Sequence, residues 1–217
     1  MTGKKVIKEE TQVVSRKRVV DHGEVFTAQR EVNAMLDLVK QETENIESRF
    51  LEPACGKGNF LTEVLQRKLR VVEERYKKSR FDYEYYAVIA ITSIYGIDIL
   101  EDNVKDCRER LFNIFDEKYT RLYKDETKED CRKAVKYILE KNIIWGDALN
   151  LKTVDKNPQD IVFPEWSPVN GSMIKRRDFI FQELIENKGA HLFSDDTGDV
   201  PINEFPPIPF LRIADAE

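Results

Sequence analysis

The segment Phe50-Leu51-Glu52-Pro53-Ala54-Cys55-Gly56-Lys57-Gly58-Asn59-Phe60-Leu61 constrains the fold more than any other part of the chain. It reads as a buried strand, an acid, a tight Gly-x-Gly loop and the start of a helix. Such a turn brings backbone N–H groups and a helix N-terminus to one point. The missing side chains at Gly56 and Gly58 admit a ligand to the main chain there. The loop has no Gly-Lys-Ser or Gly-Lys-Thr ending, which argues against a phosphate-gripping P-loop. It also lacks the three-glycine dinucleotide pattern.

Two later segments share the design of an apolar strand ending in an acid: Ile94-Tyr95-Gly96-Ile97-Asp98-Ile99 and Ile143-Ile144-Trp145-Gly146-Asp147-Ala148-Leu149. In open α/β sheets ligands sit outside the carboxyl ends of the strands. An acid at that place can accept hydroxyls or an amine. Asp98 stands 46 positions after Glu52, against about 20 in the compact dinucleotide fold, so the crossover has room for an additional helix. Helical patterns run over residues 60–80, 83–93, 101–118 and 127–141, the third with Val104, Leu111, Ile114 and Phe115 on one side. Strand and helix in alternation predict a Rossmann-like α/β fold: a mostly parallel sheet with helices on both faces, cut short after a fourth strand region.

The first of these segments resembles motif I of S-adenosylmethionine-dependent DNA adenine (N6) methyltransferases, written (D/E)PxCGxGxF. Glu52 to Phe60 match it at every defined position. Three further elements follow in the order of the gamma-type enzymes. His22-Gly23-Glu24-Val25-Phe26-Thr27 resembles motif X, which closes over the methionine end of the cofactor. Thr27 suits an N-cap; the family usually has proline next, where this chain has Ala28. The Asp98 segment resembles motif II, which implies ribose binding by Asp98 and packing of Ile99 on the adenine face. The Asp147 segment resembles motif III, which implies that Asp147, with Ala148 beside it, accepts from the exocyclic amine of adenine. The cofactor residues implied are thus Phe26, Thr27, Glu52, Pro53, Ala54, Gly56, Gly58, Asp98, Ile99, Asp147 and Ala148, with S-adenosylmethionine as cofactor and no metal.

The catalytic Asn-Pro-Pro-Tyr motif that the family places after motif III is absent. Enzymes acting on a base take it out of the stack, and this motif receives it. Asn157-Pro158-Gln159-Asp160 begins like the motif but precedes an apolar run. Arg177-Asp178-Phe179-Ile180-Phe181-Gln182-Glu183-Leu184 resembles the strand leading into it, and Gln182 is the weak candidate for the amide acceptor. Methyl transfer from a sulfonium is a direct displacement driven by positioning, so neither His22 nor His191 is needed as a base.

The chain divides into an N-terminal arm (1–19), a methyltransferase-like domain (20–185) and an acidic, proline-rich tail (186–217). The tail holds Ser194 to Asp199 and then Pro201, Pro206, Pro207 and Pro209, a density that reads as an extended segment outside any sheet. A net charge of −5 is unusual for a protein that binds DNA alone. The clusters Arg16-Lys17-Arg18, Arg67-Lys68-Leu69-Arg70 and Lys175-Arg176-Arg177 read as solvated faces. Cys55, Cys107 and Cys131 form no Cys-x-x-Cys pair. No apolar run reaches a membrane span, and the start is polar, so a cytoplasmic protein is expected.

Two functions follow from the resemblance. One is a restriction-modification DNA methyltransferase, with DNA as partner directly or through a second subunit that completes the catalytic site. The other is a catalytically silent cofactor-binding module. The target atom, adenine N6, cytosine N4 or an RNA base, stays open.

Overall fold

The computed structural model describes residues 27–186 and 200–215. The arm over residues 1–19, His22, Phe26, His191 and the acidic run over residues 194–199 lie outside the described residues. Helix α1 (Gln29–Asp37) and the short α2 (Lys40–Glu44) lead into strand β1 (Phe50–Glu52). Then come α3 (Asn59–Tyr76), α4 (Arg80–Thr92), β2 (Ile94–Asp98), α5 (Glu101–Tyr123), α6 (Glu129–Asn142) and β3 (Ile143–Asp147). The crossover from β1 to β2 therefore carries two helices, as its length predicts.

Strands β1, β2 and β3 are parallel neighbours in that order, and β4 (Lys152–Thr153) closes the far edge antiparallel to β3. All five residues of β2 are buried, which is why its sequence is a continuous apolar run and not an alternating one. Helices α3 to α6 form a closed ring of contacts, α3 on α4, α4 on α6, α6 on α5 and α5 on α3, and all four touch β2. Each presents an apolar stripe at helical spacing: Leu61, Val64, Leu65, Leu69 and Val72 on α3, and Val104, Cys107, Leu111, Phe115 and Tyr119 on α5. Ser79 caps α4 by accepting the Asp82 N–H at 3.3 Å.

A second sheet is antiparallel. Strands β5 (Val162–Val169) and β6 (Met173–Ile180) form a hairpin, and β7 (Asn203–Glu204) and β8 (Ile208–Pro209) pair with the other edge of β6. The two sheets are joined at Tyr95 of β2. Its hydroxyl donates to the Pro164 carbonyl at 2.9 Å, and its ring meets Phe163 edge-on. Asn142 tightens the joint by accepting from Trp166 Nε1 at 2.9 Å and donating to the Thr92 and Ile94 carbonyls.

Four expectations change. The stretch Arg177–Leu184 does not extend the parallel sheet: its strand belongs to β6, and from Phe181 onward it is helix α7 (Phe181–Glu186). The proline-rich tail is not free of sheet, because β7 and β8 lie on β6. Proline is excluded from strand interiors of a sheet but tolerated at edges, and these pieces are edge strands of two residues each. Ala28, not Thr27, is the N-cap of α1, and no side chain caps it. Of the basic runs, Arg16-Lys17-Arg18 lies outside the described residues; in the other two, Arg70 is exposed but Arg67, Lys68 and residues 175–177 are not merely solvated. Arg176 donates to both oxygens of Asp178 at 2.7 Å and to the Tyr137 hydroxyl, and lies over the Phe205 ring. Arg177 pairs with Glu165, and Lys175 with Glu204.

Lys68 is the plainest case, since it is fully buried on α3. Its ammonium donates to the Ile46 carbonyl at 3.1 Å, the Ser48 carbonyl and Ser93 Oγ at 2.6 Å, fixing the chain as it enters β1. Burial pulls its pKa down to about 7, with Glu42 and Glu47 acting in the opposite sense. Between that value and the ordinary 10.5 the unfolded chain binds more protons than the folded one, so this group makes stability rise with pH over that window. Lys68→Met is expected to cost about 2–4 kcal/mol, because it removes a donor shared by three acceptors and leaves the Ser48 carbonyl without it, Ser93 Oγ making up only for Ile46. It should also flatten the pH-dependent rise in urea denaturation midpoints between pH 7 and 9.

Candidate cofactor-binding site

The parallel register fixes where the three acids stand. Glu52 is opposite Gly96 and Asp98 is opposite Trp145, so each acid lies two residues beyond the level of the one before it. A step of two keeps all three on one face. They form a diagonal across the C-terminal ends of β1, β2 and β3, with Glu52 and Asp147 about 16 Å apart by strand spacing and rise. This diagonal would suit an elongated ligand with polar groups along its length.

The glycine loop is held to this edge by Asp98. Its Oδ2 accepts the Gly56 N–H at 2.8 Å, and its Oδ1 accepts the Leu100 N–H at 2.9 Å and Asn103 Nδ2 at 3.2 Å. The Cys55 N–H donates to the Ile97 carbonyl at 2.9 Å. Gly58 ends the loop as the N-cap of α3 with φ +77°, and a Cβ there would stand 2.5 Å from Cys107 Sγ. Both the backbone angle and the space therefore demand glycine. Gly58 has no side chain to cap α3, so among the described residues its first-turn N–H groups lack the usual cap and face the cleft side of the loop.

Helix α5 braces the loop from behind. Arg110 donates to the Lys57 carbonyl and to Asn59 Oδ1, the latter at 2.8 Å, while Asn59 Nδ2 donates to the Thr27 carbonyl at 3.2 Å. Lys57 pairs with Asp106 at 2.7 Å. The Cys55 thiol is raised well above its usual range, first by a hydrogen bond with Cys107 and then by burial, so it stays a neutral packing group.

A cleft opens beside the loop, lined by Thr27, Glu52, Ala54, Cys55, Gly56, Lys57, Asn59 and Phe60. Glu52 is its chemical centre. Its Oε2 is buried, with no hydrogen-bond partner among the described residues. Burial first, and then the charge of Asp98, push its carboxyl up to about 8. A buried, unpartnered carboxyl carries a desolvation cost that a cationic or donor group on a ligand would relieve.

The structure thus brings together Thr27, Glu52, Ala54 and Gly56 of the residues expected from sequence. Pro53 is exposed on the loop. Asp98 stands behind the loop, nearly buried. Ile99 is exposed, and its carbonyl accepts from Trp145 Nε1 at 3.0 Å. Asp147 and Ala148 lie two strands away from the cleft, at the end of β3. Gln182 is apart from all of these: it sits on α7 and donates to Glu186 at 2.8 Å. Sequence reasoning missed Asn59, Asn103, Cys107 and Arg110. The last three recur at positions i, i+4 and i+7 of α5, the spacing of one helix face, and that periodicity is the signal that could have found them.

A family model described as MmeI, DNA-methyltransferase domain, matches residues 26–161. No curated protein and no solved structure matches the chain at a significant level. Among the described residues no helix is long and apolar enough to cross a membrane.

Proposed function

The chain belongs to the MmeI DNA-methyltransferase domain family, and from that premise we propose that it is the S-adenosylmethionine-holding part of an adenine-N6 DNA methyltransferase of a restriction-modification system, cytoplasmic in location. A DNA methyltransferase domain implies this methyl donor and a DNA substrate. The observation that carries the reading is the buried, unpartnered Oε2 of Glu52 in a cleft walled by an uncapped glycine loop. The donor's amino-acid end and sulfonium bring positive charge to that place. The bound donor would supply an activated methyl group, and this chain's residues would hold and orient it.

The remaining roles follow from acceptor capacity. A carboxylate has about four lone-pair sites. Asp98 has three filled by Gly56, Leu100 and Asn103. It therefore takes at most one ribose hydroxyl, not both, and its main work is to shape the loop. Asp147 also has three filled, by the Leu149 and Asn150 N–H groups and the Asn150 amide. The one left matches a single N–H of the adenine amine. Ile99 offers an exposed aliphatic surface to the ring.

A second reading, a module without transfer activity of its own, is favoured by Gln182. That side chain lies on α7 bonded to Glu186, and β6 belongs to the other sheet. Among the described residues the outer edge of β1, next to the cleft, carries no strand. An acceptor site for an extruded base therefore needs a strand from elsewhere in the protein or from a partner subunit. Labelled methyl transfer to DNA tests the point. The expected result is cofactor binding with no transfer by this chain alone, and no change on Gln182→Ala. Transfer by the chain alone, abolished in Gln182→Ala, would overturn it.

A further inference from the structure

The carboxylate of Asp147 is latched by its own turn. Its Oδ1 accepts the backbone N–H of Leu149 at 2.8 Å and that of Asn150 at 3.3 Å, and the Asn150 side-chain amide donates to Oδ2. The turn itself is fixed. Asp147 pairs with Lys152 across β3 and β4. Gly146 lets β4 and Ile161 approach so closely that a Cβ there would stand 2.7 Å from Ile161 Cδ1 and 3.1 Å from the Lys152 carbonyl. The latch is not a packing device, because Leu149 is 94% exposed and Asn150 is exposed beside it.

We propose that Asn150 is a positioning residue that sets base discrimination by fixing the rotation of the Asp147 carboxylate. This rests on the reading that the cofactor's purine lies beside Asp147. A freely rotating carboxylate can turn from a group that repels it. A latched one cannot, and it presents one remaining acceptor in one direction. A 6-amino purine donates to that acceptor. A 6-oxo purine places a second acceptor against it and is rejected, since two acceptors facing each other leave both unpaired. The Asn150 amide thus turns a weak preference into a selective one without touching the ligand.

The test is calorimetric titration with S-adenosylhomocysteine and its hypoxanthine counterpart, S-inosylhomocysteine, for the wild type, Asn150→Ala and Asn150→Ser. The residue is exposed, and circular dichroism checks that the variants fold. The wild type is expected to prefer the adenine compound by roughly a hundredfold. In Asn150→Ala the ratio should fall below about tenfold, and Asn150→Ser, which keeps a short donor, should recover part of it. Wild-type binding and discrimination with the same ratio in Asn150→Ala would overturn the proposal and leave the cofactor reading intact. So would wild-type binding without discrimination. Failure of the wild type to bind either compound would overturn both.

Discussion

Asp98→Asn is expected to weaken S-adenosylmethionine binding roughly a hundredfold, which corresponds to a loss of about 3 kcal/mol. The substitution keeps the size of the side chain and changes only its acceptors. Asp98 receives three donors, from Gly56, Leu100 and Asn103. An amide in its place turns one oxygen into a donor facing another donor and removes the charge that strengthens the rest. The Gly56 N–H then loses its anchor, and the loop shifts away from the cleft that it walls. Binding should fall far more than the helix signal in far-UV circular dichroism, because the disturbed bonds lie at the strand ends. An affinity within about threefold of the wild type would mean that Asp98 does not shape the loop.

The second large effect is of pH, through Glu52. Its carboxyl is pushed up to about 8 in the ligand-free protein by burial and by the neighbouring charge of Asp98. The cationic cofactor needs the ionised form. Binding should therefore strengthen by up to about tenfold per pH unit between pH 6 and 7.5, with release of a proton. The sign is opposite for the ligand-free fold. There the folded pKa lies above the ordinary 4.5, so the Glu52 contribution to stability is full below 4.5 and is lost as pH rises through about 8. Glu52→Gln should abolish the pH slope of binding and leave weak affinity at every pH. Titration in buffers of different ionisation enthalpy reads the proton directly. An unchanged slope in Glu52→Gln would place the titrating group elsewhere.

The loop from Glu52 to Phe60 was legible because every residue that shapes it from within is contiguous. A glycine at a left-handed position, as at Gly58, leaves a mark in sequence that needs no partner to interpret. The apolar runs of β2 and β3 were legible for the same reason. Lys68 and Arg176 were not. A basic side chain reads as solvated unless its acceptors are known, and those of Lys68 come from Ile46 and Ser48, some twenty residues upstream. The strand leading to Gln182 was assigned to the wrong sheet because strand pattern does not specify strand partner. A cue did exist: Asn170-Gly171 between the two apolar runs is a hairpin signal, and it pairs β6 with β5. The tail was misread by taking the exclusion of proline from strand interiors as exclusion from sheets. Pro164 and Pro168 within the edge strand β5 show the difference as clearly as Pro209 does.

The proposed function requires that the C-terminal ends of β1, β2 and β3 hold S-adenosylmethionine. Calorimetric titration of the purified chain with that compound tests it most directly. Saturable binding at one site per chain is the result expected from the Glu52 cleft and the Asp98-anchored loop. No heat of binding up to millimolar ligand, from a chain folded by circular dichroism, would contradict it and leave the glycine loop as a scaffold for the fold alone.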